Sequence, residues 1–138
     1  MRVTLVALVV VASLGTSSPV VLGVKHRLLY GVGWGTAHPR RIFNGGDPSG
    51  EAFDLAWKRW GGSTTVADGL TWVFTPSGGY YRKPLPIELR AFRIGRCAGG
   101  GPPAYTRLDA RVVVKPGGTF GHWFPWGPTG GDICKHLD

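Results

Sequence analysis

Short apolar runs separated by Gly and Pro clusters constrain this chain more than any other feature of its sequence. The 138 residues include 23 Gly and 11 Pro, whereas only 17% of the residues are charged. Turn residues recurring about every eight to twelve positions leave room for short strands and for little helix. We therefore predict one all-β domain, a single antiparallel β-sandwich or partly open barrel of roughly five to seven short strands.

The segment 44–62, NGGDPSGEAFDLAWKRWGG, allows two interpretations. An Asp-Pro pair that can start a helix precedes Phe53 and Trp57, which share one helical face at i and i+4. Alternatively, Phe53, Leu55 and Trp57 alternate with polar or small residues as in a strand. The β-branched run 63–66 follows a Gly pair, an arrangement typical of a hairpin. We therefore favour a strand over a helix at positions 50–60.

Further apolar runs predict the other strands. Residues 70–74, 87–96 and 108–114 are each followed within three residues by Gly or Pro, and the first strand begins near Ile42. In the run 87–96, the alternation changes phase after Ala91, which predicts a β-bulge there.

The N-terminus has the pattern of an export signal. Arg2 precedes an apolar run at 3–14, which is too short to span a bilayer, and small residues suitable for cleavage follow. We assign residues 1–23 as a signal peptide with its cleavage site open, 24–43 as a lead-in segment and 44–138 as the β domain. The alternative is that the apolar run forms a buried strand. Export predicts a secreted protein with no membrane span in its mature form.

Two cysteines are present, Cys97 and Cys134. An oxidising compartment would join them, and a bridge closing such a loop contributes about 4 kcal/mol in the chain-entropy model. The alternatives, a metal pair or reactive thiols, lack CxxC spacing and nearby His ligands. We predict a structural disulfide.

One order of motifs along the chain resembles a known group. A GDPSG turn precedes a WxxWGG block that starts at Trp57, then a strand ends in Cys97, a loop leads to Tyr105, and Cys134 lies near the C-terminus. This order resembles small exported actinobacterial proteins of unknown function. The resemblance covers roughly residues 44–134 and implies a secreted β domain, and it brings no activity with it.

Basic and aromatic residues suggest what the domain binds. The formal net charge is +8, which favours anionic partners. Candidate binding residues lie on the strands 87–96 and 108–114, in the residues next to the second strand, and in a later aromatic loop: Arg90, Arg93, Arg107, Arg111, Lys115, Trp123 and Trp126. Arg presents a planar fork to phosphate and carboxylate groups, and exposed Trp can stack on sugars. The plainer alternative is a solvated basic face beside a loop that packs its own rings.

These residues lead to two function classes. The first is a non-catalytic domain that binds an anionic cell-wall polymer or a glycan at the cell envelope. The second is a secreted protein-interaction or inhibitory module that uses the loops 75–86 or 118–130. Nucleic acid is not an expected partner, because no nucleic-acid motif accompanies the charge.

Catalytic patterns are absent from the sequence. No Ser lies in a GxSxG elbow, and the four His residues show no HExxH or other ligand spacing. We therefore predict no catalytic residues, no metal and no cofactor. A small secreted hydrolase using His122 and Asp132 remains a weaker alternative.

Overall fold

The structure is a computed structural model that describes residues 19–137, and the predicted signal-peptide run at 3–14 lies outside them. The described part of the chain is all-β, with 41% of its residues in strands or isolated β-bridges. In chain order the strands are Val21–Leu22 (β1), Arg41–Phe43 (β2), Glu51–Lys58 (β3), Thr64–Thr71 (β4), Leu85–Gly95 (β5), Ala104–Val112 (β6) and Phe124–Pro125 (β7). One short 3-10 helix, Pro48–Gly50, precedes β3.

The strands form one curled sheet that makes a half-barrel. Its order is β1-β6-β5-β4-β3-β2, and β7 shares the outer edge of β6 with β1. All pairs are antiparallel except β1 with β6, which is parallel, so the sheet is mixed. The predicted all-β class is confirmed. Of the two predicted forms, a sandwich or a partly open barrel, the structure is the partly open barrel.

The inner, concave face of the half-barrel carries the hydrophobic core. Alternate residues of β4 to β6 point into it, and the chain before β3 and after β7 covers them. The buried set includes Ala67, Ile87, Leu89, Leu108 and Ala110 from β4 to β6, and Leu22 (in β1), Trp34, Ile42 (in β2), Trp126 and Ile133 from the covering segments. Burying each large aliphatic side chain is worth about 1.5–3 kcal/mol, so the covering segments are part of the domain.

The N-terminal segments therefore contribute to the fold. Trp34 and Ile42, from the predicted lead-in, are 4% and 0% exposed. Val21 and Leu22, from the range assigned to the signal peptide, form β1 and pair with Ala104 and Tyr105 of β6.

The predicted disulfide between Cys97 and Cys134 is confirmed. It joins the residues just after β5 to the C-terminal covering segment. Around it, Val21, Cys97 and Ala104 form a second, small buried cluster. The bridge therefore fixes both covering segments near one end of the sheet.

Strand β3 confirms the strand interpretation and excludes the helix. The strand contains a register shift between Phe53 and Ala56, and Asp54 there has φ +51°. Because of this bulge, Ala52 and Leu55 both point into the core, whereas Phe53 packs beside Trp72. Simple alternation of Phe53 with Leu55 is therefore wrong.

The bounds of two strands and the position of one irregular residue also differ from the sequence prediction. β4 runs unbroken through what the sequence divides into two strands, and β6 begins at Ala104, four residues early. The β5–β6 register is continuous, so the bulge predicted after Ala91 is wrong. The irregular residue is Arg93 instead, which has φ +57° and no place in the register. Within residues 19–137, no helix has the length and apolar character needed to cross a membrane.

Candidate functional site

Two arginines on the convex side of the sheet are each paired with a carboxylate on the neighbouring strand. We call the side chains of Glu88, Arg90, Phe92, Arg107, Asp109 and Arg111 the outer face. Arg90 lies opposite Asp109 with an N–O distance of 2.8 Å, and Arg111 donates to Glu88 at 2.8 and 3.0 Å. Opposite charges that face each other across two strands stabilise the pair and hold both side chains in place.

The indole of Trp123 lies over both of these guanidinium groups. Its ring centroid is 4.3 Å from the guanidinium carbon of Arg90 and 4.7 Å from that of Arg111. Phe120 also contacts Arg111, at 5.1 Å. Trp123 directly precedes β7, whose pairing with β6 fixes the backbone beside the outer face. The result is a half-buried aromatic ring held on two ordered cations.

The remaining predicted basic residues do not join this cluster. Arg107 lies on the same face, but its guanidinium donates to the carbonyl oxygen of Gly130 at 2.9 Å. Arg93 is exposed at its irregular position in β5, and Lys115 is exposed in the turn that follows β6. The structure thus brings together Arg90, Arg111 and Trp123 of the predicted binding residues.

Trp126 lies on the opposite side of the sheet from Trp123. It is 4% exposed, its ring centroid is 6.4 Å from that of Trp34, and its Nε1 donates to Oδ1 of Asn44 at 3.1 Å. Side chains alternate between the two faces along a strand, so Phe124 and Trp126 point inward. The aromatic loop is therefore divided between two surfaces.

An apolar cleft of about 470 Å³ opens at the end of the half-barrel where β4 and β6 finish. We call it the inner cleft. Its walls include Val73, Phe74, Ile87, Val112, Val114, Phe124 and Trp126, with Asn44, Ser49, Gly50, Thr71, Trp72 and Gly127 completing them. Phe74, Val114 and Phe124 are exposed at its rim. Its volume lies within the range of about 300–1,000 Å³ that is usual for small-molecule sites.

Sequence reasoning missed Arg27, which lies behind one wall of the inner cleft. The side chain has no exposed surface. Its guanidinium donates to the carbonyl oxygen of Asp132 at 3.0 Å and to Oγ1 of Thr129 at 3.3 Å, and it lies 4.8 Å from the ring of Trp34. Burial lowers the pKa of Arg27 from its usual value, and the charge of Asp132 opposes that shift. Among residues 19–137, no carboxylate lies within 4.0 Å of Arg27.

A second buried polar group closes the other end of the half-barrel. The hydroxyl of Tyr105 accepts a hydrogen bond from the backbone N–H of Gly61 at 2.9 Å and donates to the carbonyl oxygen of Gly62 at 2.6 Å. Burial raises the pKa of Tyr105, and the hydrogen bond from Gly61 partly offsets that rise. This hydroxyl fastens the β3–β4 hairpin to β6.

The residues of the weaker hydrolase alternative have the following environments. Oδ1 of Asp132 accepts the backbone N–H of Cys134 at 3.0 Å, and His122 is exposed beside Trp123 in the chain. His136 contacts the carbonyl oxygen of His26 at 3.2 Å. In the part of the chain that the structure describes, no three His, Cys, Asp or Glu side chains are grouped as metal ligands.

No protein-family model matches the chain, and searches of curated proteins and of solved structures likewise find no match.

Proposed function

We propose that this chain is an exported, non-catalytic domain that binds a glycan polymer of the cell envelope on its outer face. The observation that carries the proposal is the position of Trp123 over Arg90 and Arg111. A flat indole offers a broad apolar surface to the C–H face of a sugar ring. Because the ring is already ordered, binding costs little side-chain entropy.

The paired charges around Trp123 favour a glycan over a highly anionic polymer. Arg90 and Arg111 are each balanced by a carboxylate, so their positive charge is largely neutralised locally. The same four groups still offer charge-assisted donors and acceptors to sugar hydroxyls. The sequence-based hypothesis of an anionic polymer or a glycan as ligand is thereby narrowed to a glycan, bound on a platform that combines stacking with hydrogen bonds.

Export is part of the same proposal, and contacts near the N-terminus of the fold limit where the signal peptide can be cleaved. Trp60 donates from Nε1 to the carbonyl oxygen of Val20 at 3.0 Å, and the next two residues form β1. A mature chain that retains these contacts begins at or before Val20, so we place cleavage upstream of it. N-terminal sequencing of the exported protein tests this, and a mature chain beginning after Val20 would contradict it.

The test of glycan binding is co-sedimentation of the oxidised protein with isolated cell envelopes. We expect Trp123→Ala to weaken binding at least about tenfold, equivalent to about 1.4 kcal/mol. Phe124→Ala is the matched control, because it removes the next aromatic ring along the chain from the opposite face. We expect that control to change binding less than about twofold.

Salt distinguishes the ligand classes. Between about 0.05 and 0.5 M salt, stacking on Trp123 should change little, whereas an anionic polymer held by several cations should be released. If the protein is released steeply by salt and Trp123→Ala still binds fully, the ligand is an anionic polymer and not a glycan. Failure to bind envelopes at either salt concentration would overturn the proposal.

One observation supports the second function class, a protein-interaction module. Phe74 and Tyr80 stack at 4.4 Å and pair across the base of a short loop, and Phe74 is 51% exposed. Exposed aromatic groups on an ordered loop are typical anchors of protein interfaces. Under this alternative, Phe74→Ala would abolish capture of a protein partner and Trp123→Ala would not.

A further inference from the structure

The inner cleft and the buried Arg27 together point to a second ligand of a different chemical class. The cleft supplies an apolar chamber, and Arg27 supplies a positive charge that has no carboxylate within 4.0 Å among residues 19–137. A buried cation without a direct ion pair is costly, and the charge of Asp132, which acts on Arg27 from beyond 4.0 Å, offsets only part of that cost. An anion bound nearby would reduce it further. Neither feature belongs to the outer face.

The wall between the cleft and Arg27 is a glycine. Gly127 lines the cleft with φ +70°, and a methyl group added to it would lie 3.7 Å from Nδ2 of Asn44 and 3.9 Å from Nη2 of Arg27. No other atom beyond its chain neighbours would lie within 4 Å of that methyl group. A ligand atom beside Gly127 therefore lies next to the amide nitrogen of Asn44, and the guanidinium group of Arg27 lies buried behind that wall.

The amide of Asn44 is oriented for this role. Its Oδ1 accepts the hydrogen bond from Trp126, which turns Nδ2 away from that indole. Nδ2 has no protein acceptor among residues 19–137, and it lies between Gly50 and Gly127, which both line the cleft. The atom of Arg27 nearest Gly127 is Nη2, which donates to Oγ1 of Thr129, while Nε is buried without a hydrogen-bond partner.

We propose that the inner cleft binds a single-chain amphipathic carboxylate of the fatty-acid class, with its carboxylate at Asn44 and Gly127 in front of Arg27. The alkyl chain lies against the apolar walls, where Ile87, Val112 and Phe124 contribute side chains. Asn44 donates to a carboxylate oxygen, and the charge of Arg27 acts across the short gap beside Gly127. Electrostatic attraction is stronger there than in water, because Arg27 has no exposed surface.

The experiment is calorimetric titration of the oxidised protein with octanoate, octan-1-ol and octylammonium, which share one chain length. We expect saturable binding of octanoate, at least about tenfold tighter than octan-1-ol, and no measurable binding of octylammonium. Equal affinity for octanoate and octan-1-ol would overturn the proposal, because the head group would then have no site. Absence of saturable octanoate binding would also overturn it.

The first variant is Asn44→Asp, which keeps an oxygen for Trp126 and replaces the donor with a negative charge. We expect it to lower the affinity for octanoate at least about tenfold and the affinity for octan-1-ol less than about twofold. Ser63→Asp is the control, because it adds the same charge at an exposed position in the β3–β4 turn. Unchanged octanoate binding by Asn44→Asp would contradict the placement of the carboxylate.

Arg27→Met tests the buried cation. In this variant the carbonyl oxygen of Asp132 still accepts one hydrogen bond, which Oγ1 of Thr129 donates at 2.6 Å. Replacing a buried charge with an apolar side chain of similar size is often neutral for stability. We expect a folded variant with octanoate affinity lowered at least about tenfold and octan-1-ol affinity unchanged. If octanoate binding is intact in folded Arg27→Met, the role of Arg27 is wrong.

Discussion

The arginines of the outer face and the arginine of the interior are held in opposite ways. Arg90 and Arg111 remain about one-third exposed, at 36% and 32% of their side-chain surface, and each has a carboxylate partner. Arg27 has no exposed surface and is held by a carbonyl oxygen, a hydroxyl and an aromatic ring. Pairing is thus most complete where water already lowers the cost of charge, and least complete where that cost is greatest.

The difference follows from how the two regions are built. The outer face comes from adjacent strands, so the register of β5 with β6 sets opposite charges side by side. The surroundings of Arg27 come from segments that are more than 100 residues apart in sequence, as its hydrogen bonds to Thr129 and Asp132 show. The outer face is therefore local and strand-based, whereas the inner side depends on how the covering segments are fixed.

Removing the disulfide should give the largest difference in stability between the two regions. Substituting both Cys97 and Cys134 with Ser releases the constraint on the covering segments and should lower the free energy of unfolding by about 4 kcal/mol. Hydrogen exchange measures where stability is lost. The amides of Val21 and Ile133, which hold the covering segments to the sheet region, should lose more protection than the β5–β6 amides. A uniform loss across the sheet would contradict the distinction between the two regions.

Tyr105→Phe should have an intermediate effect at the closed end of the half-barrel. The variant loses the hydrogen bonds to Gly61 and Gly62, which should lower the free energy of unfolding by about 1–2 kcal/mol. Because burial raises the pKa of Tyr105, its neutral form is favoured in the folded state. Its contribution is therefore full below the ordinary tyrosine pKa of about 10 and is lost as pH rises through the folded-state pKa.

Denaturation of both proteins between pH 8 and pH 11 measures this contribution, since the variant lacks the group that titrates. The stability gap between wild type and Tyr105→Phe should narrow above about pH 10. A gap that widens with pH would show that the ionised hydroxyl is the form that the folded state prefers.

The ion pairs of the outer face should show the smallest effect. A double-mutant cycle with Arg90→Gln and Asp109→Asn should give a coupling energy of at most about 1 kcal/mol, because both groups are partly solvated. The same cycle measured with Trp123→Ala in the background shows how far the indole strengthens the pair. A coupling well above that value would mean that the outer face is drier than its exposure indicates.

Much of the architecture could be predicted from the sequence. The recurring turn residues predicted the all-β class, and the presence of two cysteines predicted the disulfide between Cys97 and Cys134. The bulge in β3 could not be predicted, because alternation cannot reveal an inserted residue until the partner strand fixes the register. Alternation alone therefore puts Phe53 on the wrong side of the sheet.

The candidate sites were less accessible to sequence reasoning. The patterns Glu88-x-Arg90 and Asp109-x-Arg111 on adjacent antiparallel strands do signal reciprocal ion pairs, and that signal could have identified the paired outer face. Arg27 gives no such signal, since it lies in a polar stretch, VKHR, that is typical of exposed chain. Its burial arises only when residues 129–132 fold across it.

The sharing of one edge of β6 by three pieces of chain has a consequence for self-association. An open sheet edge offers unpaired backbone groups on which another copy can add a strand. Along β6, β1 covers one end, residues 131–133 the middle and β7 the other end. The opposite edge is β2, which has only three residues, includes the charged Arg41, and is bridged by Val32 at Phe43. A half-barrel would ordinarily be prone to aggregation at both edges, and this chain blocks each edge with short segments of its own.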